Sequence, residues 1–495
     1  MRYAIGYMLH MKEKSLAQNA AFMTIASTLQ KIVSFVYFTI IARDIGAEST
    51  GKYFFALSFT TVFVVFVDLG FTNVLVREGA RAKDKLQVYL GTLLPTKIIL
   101  GVLSYLGMYV AIRALGYPLE TRQLVYLSGV TMLFDSLHLT LYGVLRVLGE
   151  LRYEAISIVV SQCLSLILGT IFLTLHFPLI FLMVAFVIPS VLNVGFAAGV
   201  LMKRYQLSLR PDWDGETFRH LRKIAIPFAI AAVLARVYSY TDSIILSKLA
   251  GDVAVGWYSI PYKITFAFQF IPLALVAAVY PRFSAFFVSD KERLRATFTS
   301  TIRYLSILIF PIVIGIMTLS RDIVLSVYSA EFLPSIEPLR ILLVGLVFSF
   351  MSFPVGAFLN ACDRQRQQTT IVAAVLMINI LLNVYLIPRM GVSGAAIAAT
   401  IGNALLAISG FLVVRRVVHI WDRQLITDIL LYLLSALVMG GAVWYVNTFI
   451  HFTMAILIGM VIYPSALFAT KRLTMVQLKE MYGLIRGARS VSSGA

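Results

Sequence analysis

The sequence predicts an all-α polytopic membrane protein made of two related halves. Three observations carry that expectation. Of 495 residues, 59% are hydrophobic and 13% charged, with a mean hydropathy of +0.86. A bilayer core takes about 20 apolar residues per helix, and the apolar runs here are long and unbroken. They lack the weak ten-residue alternation of an outer-membrane barrel. Charged and Pro/Gly breaks divide these runs into about fourteen spans. The third observation is a repeat, with the same residues recurring 205 positions apart.

The spans run roughly over 18–42, 53–76, 89–112, 123–145, 155–175, 179–201, 224–247, 254–280, 300–319, 340–361, 368–387, 392–414, 426–447 and 450–470. An even count places both termini on one side. With that side cytoplasmic, inside segments hold 29 of the 42 Lys and Arg, outside loops hold 8, and 5 lie within spans. This is the positive-inside bias. It also absorbs the net charge of +18, so a membrane surface rather than nucleic acid is the expected partner. Residues 1–17 lack the compact apolar core and cleavage site of a secretory signal. Met11 opens MKEKSLAQNAAF and is a second candidate start beside Met1. Cys163 and Cys362 imply neither a disulfide framework nor a metal site.

The repeat sets the domain reading. Lys31–Tyr53 (KIVSFVYFTIIARDIGAESTGKY) aligns with Arg236–Tyr258 (RVYSYTDSIILSKLAGDVAVGWY). Lys31 meets Arg236, Ser34 meets Ser239, Gly46 meets Gly251, Gly51 meets Gly256, and Tyr53 meets Tyr258. Arg77 meets Arg282 at the same offset. The basic stretch 202–223 then reads as a cytoplasmic linker between an N-lobe (1–201, helices 1–6) and a C-lobe (224–415, helices 7–12). Pro227 suits the first turn of helix 7. Two extra helices and a basic cytoplasmic tail fill 416–495. Gly51 and Gly256 are expected to follow short outer turns. Pro261, Pro272 and Pro354 with Gly356 are candidate bending points.

Several stretches carry a resemblance. An N-terminal Asn-Ala-Ala helix leads to ARDIGAESTGKYFFA. The second half offers IPFAIAAVLARVYSYTDSIILSKLAGDVAVGWYSIPYKI, and later comes LLNVYLIPRMGVSGAAIAATIGN. Together these resemble the polysaccharide biosynthesis branch of the MOP/MATE exporter superfamily, the Wzx-like flippases, over about 18–415. The resemblance implies two pseudo-symmetric six-helix lobes around a central cavity and alternating access. The implied cargo is a polyprenyl-phosphate- or polyprenyl-pyrophosphate-linked sugar. Multidrug exporters and the lipid II flippase share the superfamily, so membership alone does not choose the substrate.

Charge within the bilayer costs about 2.5–3.5 kcal/mol per residue on insertion scales, so each intramembrane charge needs an explanation. Lys31 shares a helical face with Ser27 and Ser34. Arg236 holds the equivalent place in helix 7, with Tyr240 one turn on, and Lys263 lies in helix 8. These four are the candidate cationic substrate site, with Lys as a point charge and Arg as a bidentate fork for phosphate. Snorkelling or an ion pair is the alternative for each cation, and snorkelling is the expectation for Lys97 and Arg303. Asp242 is expected either to pair with Arg236 or Lys263 or to bind a coupling cation. Asp68 stands with it as a pairing or coupling acid. Asp135 and His138, three apart on one face, suggest either a proton relay or interhelical packing. Asn73, Asn193, Asn379, Asn383 and Asn403 read as hydrogen-bond partners between helices. Arg77 and Arg282 mark a candidate cytoplasmic mouth or positive-inside anchors.

The expected function is a flippase for lipid-linked oligosaccharide in the cell membrane, with both termini cytoplasmic. The expected form is a monomer without cofactor, coupled to an H+ or Na+ gradient. Glycan polymerase or glycosyltransferase machinery would be its partner. Five intramembrane cations against three acids (Asp68, Asp135, Asp242) argue against a drug exporter, which needs an acidic cavity. The absence of a nucleophile triad, metal cluster or phosphate-cradling loop argues against a polytopic glycosyltransferase.

Overall fold

The computed structural model describes residues 16–418 and 423–469. The candidate start methionines and the basic tail lie outside the described residues. Within them the chain is helical and contains no strand. Its helices are α1 (Leu16–Asp68), α2 (Phe71–Arg81), α3 (Leu86–Ala114), α4 (Leu119–Val147), α5 (Leu151–Thr174), α6 (Ile180–Tyr205) and α7 (Gly215–Phe268). These are followed by α8 (Phe270–Ser289), α9 (Lys291–Thr318), α10 (Ser320–Val327), α11 (Ile336–Ala361), α12 (Gln365–Val414), α13 (Arg423–Asn447) and α14 (Phe452–Ala469). The labels do not count crossings, since α2 and α10 have only 11 and 8 residues.

Eleven helical segments of the described residues are long and apolar enough to cross a membrane. Three are far longer than one crossing needs: Phe22–Arg81, Phe228–Ser289 and Gln365–Val414, of 60, 62 and 50 residues. A straight 60-residue helix would be about 90 Å long, three times the hydrocarbon core. Each holds a non-helical glycine within its length. Gly46 has φ 75°, ψ 177°, Gly251 has φ 83°, ψ 179°, and Gly391 has φ 55°, ψ −128°. The first two share a backbone region open essentially to glycine alone. The repeat alignment paired these two glycines, so the repeat extends to backbone conformation.

The breaks fall inside the expected outer connections, 43–52 and 248–253. Gly46 and Gly251 make them, and Gly51 and Gly256 lie in helix, buried. One glycine with positive φ breaks the helix at each place, so the expected outer loops around 43–52 and 248–253 are helical up to the glycine on both sides. Helix α7 begins at Gly215, well ahead of Pro227, which is therefore not in its first turn. A further break, unexpected from sequence, falls at Leu69 (φ 45°) and Gly70 (φ 78°), between α1 and α2. Pro272 lies in the first turn of α8, where its missing N–H removes no helical bond.

By its own contacts the chain divides into two compact units, with the division at Ile244 and Ile245 inside α7. In the first unit α1 packs on α4 and α5, and α4 on α3 and α6. One core in it joins Val74, Leu90, Leu145 and Leu201 to Leu221 and Ala225. The stretch after α6 is fastened to this unit. The Asp212 N–H donates to the Gly91 carbonyl (3.1 Å), and Gln87 and Ser208 exchange two hydrogen bonds (2.8 and 2.9 Å). A Cβ on Gly91 would come within 3.2 Å of the Asp212 Cβ and carbonyl oxygen, so glycine permits that close approach. Asp214 accepts from the Thr217 N–H at 3.0 Å and caps α7. Hydrogen bonds from Thr217 hold its carboxyl below the usual range.

In the second unit α11 packs on α12, α9 and α8. Phe283, Phe298 and Phe358 form edge-to-face contacts at its core, joined by Val414 and Leu425. The two extra helices dock on α9 and its neighbour α10 through polar clamps. Arg303 pairs with Asp428 (2.8 Å), the Tyr463 hydroxyl donates to the Ile307 carbonyl (2.8 Å), and Asn447 donates to Asp322 (2.9 Å).

Candidate functional site

The intramembrane charges fall into two groups by place, those on α3, α4 and α9 and those along α1, α7 and their continuations. The clearest of the first group is Lys97 of α3. Its ammonium donates to Asp68 at the end of α1, to the Thr72 hydroxyl at 2.8 Å, and to the Ser136 hydroxyl of α4 at 3.4 Å. The Lys97 side chain is 0% exposed and that of Asp68 29%. Lys97 therefore does not snorkel, because its side chain is buried and its ammonium meets groups on α1, α2 and α4, and the ion pair replaces its lost hydration. Asp68 also accepts from the backbone N–H of Thr72 (3.3 Å), which steadies the start of α2 after the Leu69–Gly70 break. Of the two readings for Asp68, the structure contains the ion pair. Arg303 does not snorkel either, since its guanidinium meets Asp428, which is 4% exposed.

A polar seam crosses α4, α5 and α6. Ser190 donates to Asp135 at 2.6 Å, and His138 Nδ1 lies 3.5 Å from the same carboxylate oxygen. His138 stands edge-on to the Tyr142 ring, one turn along α4. The Tyr142 hydroxyl donates to Ser157, and Ser157 and Ser161 (2.9 Å) donate to the Asn193 side-chain oxygen. Asp135 and His138 thus sit together as their spacing implied, and Asn193 bonds between helices. Ser157, Ser190 and Tyr142 were not singled out from sequence. Tyr142 follows His138 by four residues, and that spacing was the available signal. The Asn383 amide donates along its own helix to Asn379, at 2.9 Å to the carbonyl and 3.1 Å to the side chain.

The second group holds the candidate substrate cations. Lys31 is half-buried on α1. Arg236 is exposed on α7, Tyr240 one turn on is half-buried, and Asp242 is buried. Lys263 is half-buried further along α7. It stands beside a ladder in which Tyr258, Tyr262 and Phe266 follow at four-residue spacing, with ring centroids 6.3 and 5.8 Å apart. At the opposite ends of these helices, Arg77 is exposed, 3.6 Å from the buried Glu78, which also meets Arg81 and His220. Arg282 is half-buried on α8. Among the described residues there is no His/Cys/Asp/Glu cluster of metal-site size.

Against known proteins, the sequence model of the family described as "Polysaccharide biosynthesis protein" matches residues 16–287, and the MatE model matches residues 227–385. The chain is 23% identical over 405 residues to the capsular polysaccharide biosynthesis protein CapF of Staphylococcus aureus, covering 81% of this chain and 100% of that one. It is 22% identical over 463 residues to the probable low-salt glycan biosynthesis flippase Agl15 of Haloferax volcanii, covering 91% and 95%. Among solved structures it is similar to the lipid II flippase MurJ in an inward closed conformation. The TM-score is 0.75 at 17% identity, over 91% of this chain and 98% of the other, which shows a shared fold. With more than half of its length matched by one family model, the chain belongs to the polysaccharide biosynthesis protein family.

Proposed function

We propose that this protein is a flippase that moves a polyprenyl-phosphate- or polyprenyl-pyrophosphate-linked oligosaccharide from the cytoplasmic to the outer leaflet by alternating access. The observation that carries the reading is the family match over residues 16–287, beside cations at matching places on α1 and α7. Lys97 and Arg303 are ion-paired with Asp68 and Asp428. Lys31, Arg236 and Lys263 are the candidates for an anionic headgroup. A phosphate entering a low-dielectric region loses hydration, and fixed ammonium and guanidinium groups can replace it. Tyr240 adds a hydroxyl one turn from Arg236. The names of CapF and Agl15 support the same cargo class.

The rest of the reading follows. The glycine breaks at Gly46, Gly251 and Gly391 support two crossings in each of the three longest segments, hence fourteen, with both termini cytoplasmic in a cell membrane. Lobes at 1–201 and 224–415, the 202–223 linker and an appended 416–495 segment remain the proposed domains. Arg77 and Arg282 are proposed at the cytoplasmic mouth. Asp242 and the Asp135–His138 pair are the proposed groups for H+ or Na+ coupling. The protein is proposed to act as a monomer, without catalysis of its own, handing cargo to glycan polymerase or glycosyltransferase machinery.

Reconstituted protein tests this. Flipping of lipid-linked oligosaccharide should fall at least tenfold in Arg236→Gln and Lys31→Gln, with normal membrane insertion. Unchanged flipping in both single variants and the double variant sinks the proposal. The MatE match over 227–385 favours one second reading, a cation-coupled drug exporter. Drug hypersensitivity of a deletion strain, with surface glycan intact, would support it instead.

A further inference from the structure

The second unit carries a cavity of about 590 Å³ at the end that holds the Gly251 turn. The positive-inside bias places that end outside. Three connections build it: the Gly251 turn, the turn from Ala330–Ser335 into α11, and the Gly391 turn of α12. Its volume lies within the range of small-molecule sites, about 300–1,000 Å³. Its distinctive lining residues are Trp257, Glu337 and Arg340.

Each is held in a way that leaves recognition groups available. The Trp257 indole N–H donates to the Glu331 carbonyl at 2.9 Å, and Ser335 donates to the Trp257 carbonyl at 2.8 Å. The ring is thus fixed by its polar edge, which leaves its apolar faces for packing. Arg340 uses Nε on the Ser320 hydroxyl at 2.9 Å, and its terminal nitrogens make no hydrogen bond among the described residues. Glu337, three residues earlier on the first turn of α11, is exposed and forms no ion pair among them. One carboxylate and one guanidinium at i and i+3 give no net charge, so the cavity has no electrostatic preference for an ion. They supply an acceptor and a donor beside an aromatic face. A pyranose ring has an apolar C–H face that packs on indole, and hydroxyls that both donate and accept.

We propose that this cavity is an outer-face binding site for an uncharged pyranoside. The aligned position in the first unit is Lys52, its ammonium held between Glu48 and Glu120 at 2.9 and 2.8 Å. That residue offers no aromatic face. The pyranoside is either part of a carried lipid-linked glycan, which rests on the flippase reading, or a free saccharide of the outer medium.

The test uses the full chain in nanodiscs, with Trp213, Trp421 and Trp444 changed to Phe so that Trp257 alone fluoresces. The probes are methyl glycosides and tetrasaccharides of glucose, galactose, mannose and N-acetylglucosamine at millimolar concentration. At least one should shift Trp257 emission saturably. Glu337→Gln and Arg340→Gln, both at exposed positions, should each weaken that binding at least tenfold without changing the thermal midpoint. No saturable response from any probe overturns the site, as does a response equal in both variants. Lipid-linked glycan that competes with the soluble probe identifies the carried sugar as the ligand, and a probe that binds undiminished identifies a free saccharide. Protein that binds pyranosides at Trp257 and flips no lipid-linked sugar sinks the flippase reading alone.

Discussion

The Gly46 and Gly251 turns have the same backbone and different fastenings. Both glycines sit near φ +80°, ψ 180°. Six residues after each comes a side chain that ties the turn to the region where a later helix starts, α4 in the first unit and α11 in the second. In the first unit this is Lys52, ion-paired to Glu120. In the second it is Trp257, bonded to the Glu331 carbonyl. The buried ion pairs have also diverged. The first unit places Asp68–Lys97 between α1 and α3. The second places Arg303–Asp428 between α9 and α13, where it anchors a helix that has no counterpart in the first unit. Duplication has kept the backbone geometry, which only glycine satisfies, while the side-chain chemistry fastening it has been replaced.

The largest way to break the first unit is Asp68→Leu. It strands an ammonium whose side chain is 0% exposed. Removing one partner of a buried pair costs about 3–5 kcal/mol. A large fall in the thermal midpoint in detergent is expected, and Asp68→Leu with Lys97→Met should recover most of it. If Asp68→Leu melts like the parent, Lys97 is not enclosed as described. The matching change in the second unit, Asp428→Leu, should cost less, about 2–3 kcal/mol. Arg303 is 20% exposed, and its long stem lets the charge move toward the interface. Its specific signature should be faster protease cleavage between α12 and α13, reporting release of the extra helices.

The glycine turns sharpen the likeness between the units. Gly251→Ala meets no atom within 4 Å, so its cost is conformational alone, about 1–3 kcal/mol. Gly46→Ala should cost the same within about 0.5 kcal/mol, read from thermal midpoints of both variants. By contrast Gly51→Ala and Gly256→Ala, both in helix, require no left-handed backbone.

How much of this was legible follows from what each signal measures. Hydropathy measures depth, so the spans and the 205-residue repeat stood out. It does not give the direction a residue faces around its helix. Asp68 and Lys97 are 29 residues apart on different helices, and nothing local joins them. Lys97 was expected to snorkel, whereas its partner lies on another helix. The repeat offered two glycines per half, and sequence could not say which takes positive φ. Gly46 and Gly251 do so at the polar ends of the apolar runs, where a reversal keeps both helices in the bilayer. Asp135 and His138 were legible because i, i+3 spacing is local. Their partner Ser190 was not, because it lies 55 residues away.

The smallest expected effect separates the two fastenings by their physics. The Lys52 ammonium meets Glu48 and Glu120, both well exposed. Water screens such pairs, and Lys52→Met should cost only about 0.2–1 kcal/mol. That difference should vanish in 1 M salt, where the screening length is about 3 Å. Trp257→Phe removes one indole hydrogen bond to a backbone carbonyl, about 0.5–1.5 kcal/mol. The lost partner is neutral, so this difference should persist at every ionic strength. Thermal midpoints of parent and both variants across a salt series make the comparison. A Lys52→Met deficit that survives high salt would mean that the first joint is held by packing of the lysine stem, and that the two joints are closer in kind than their residues suggest.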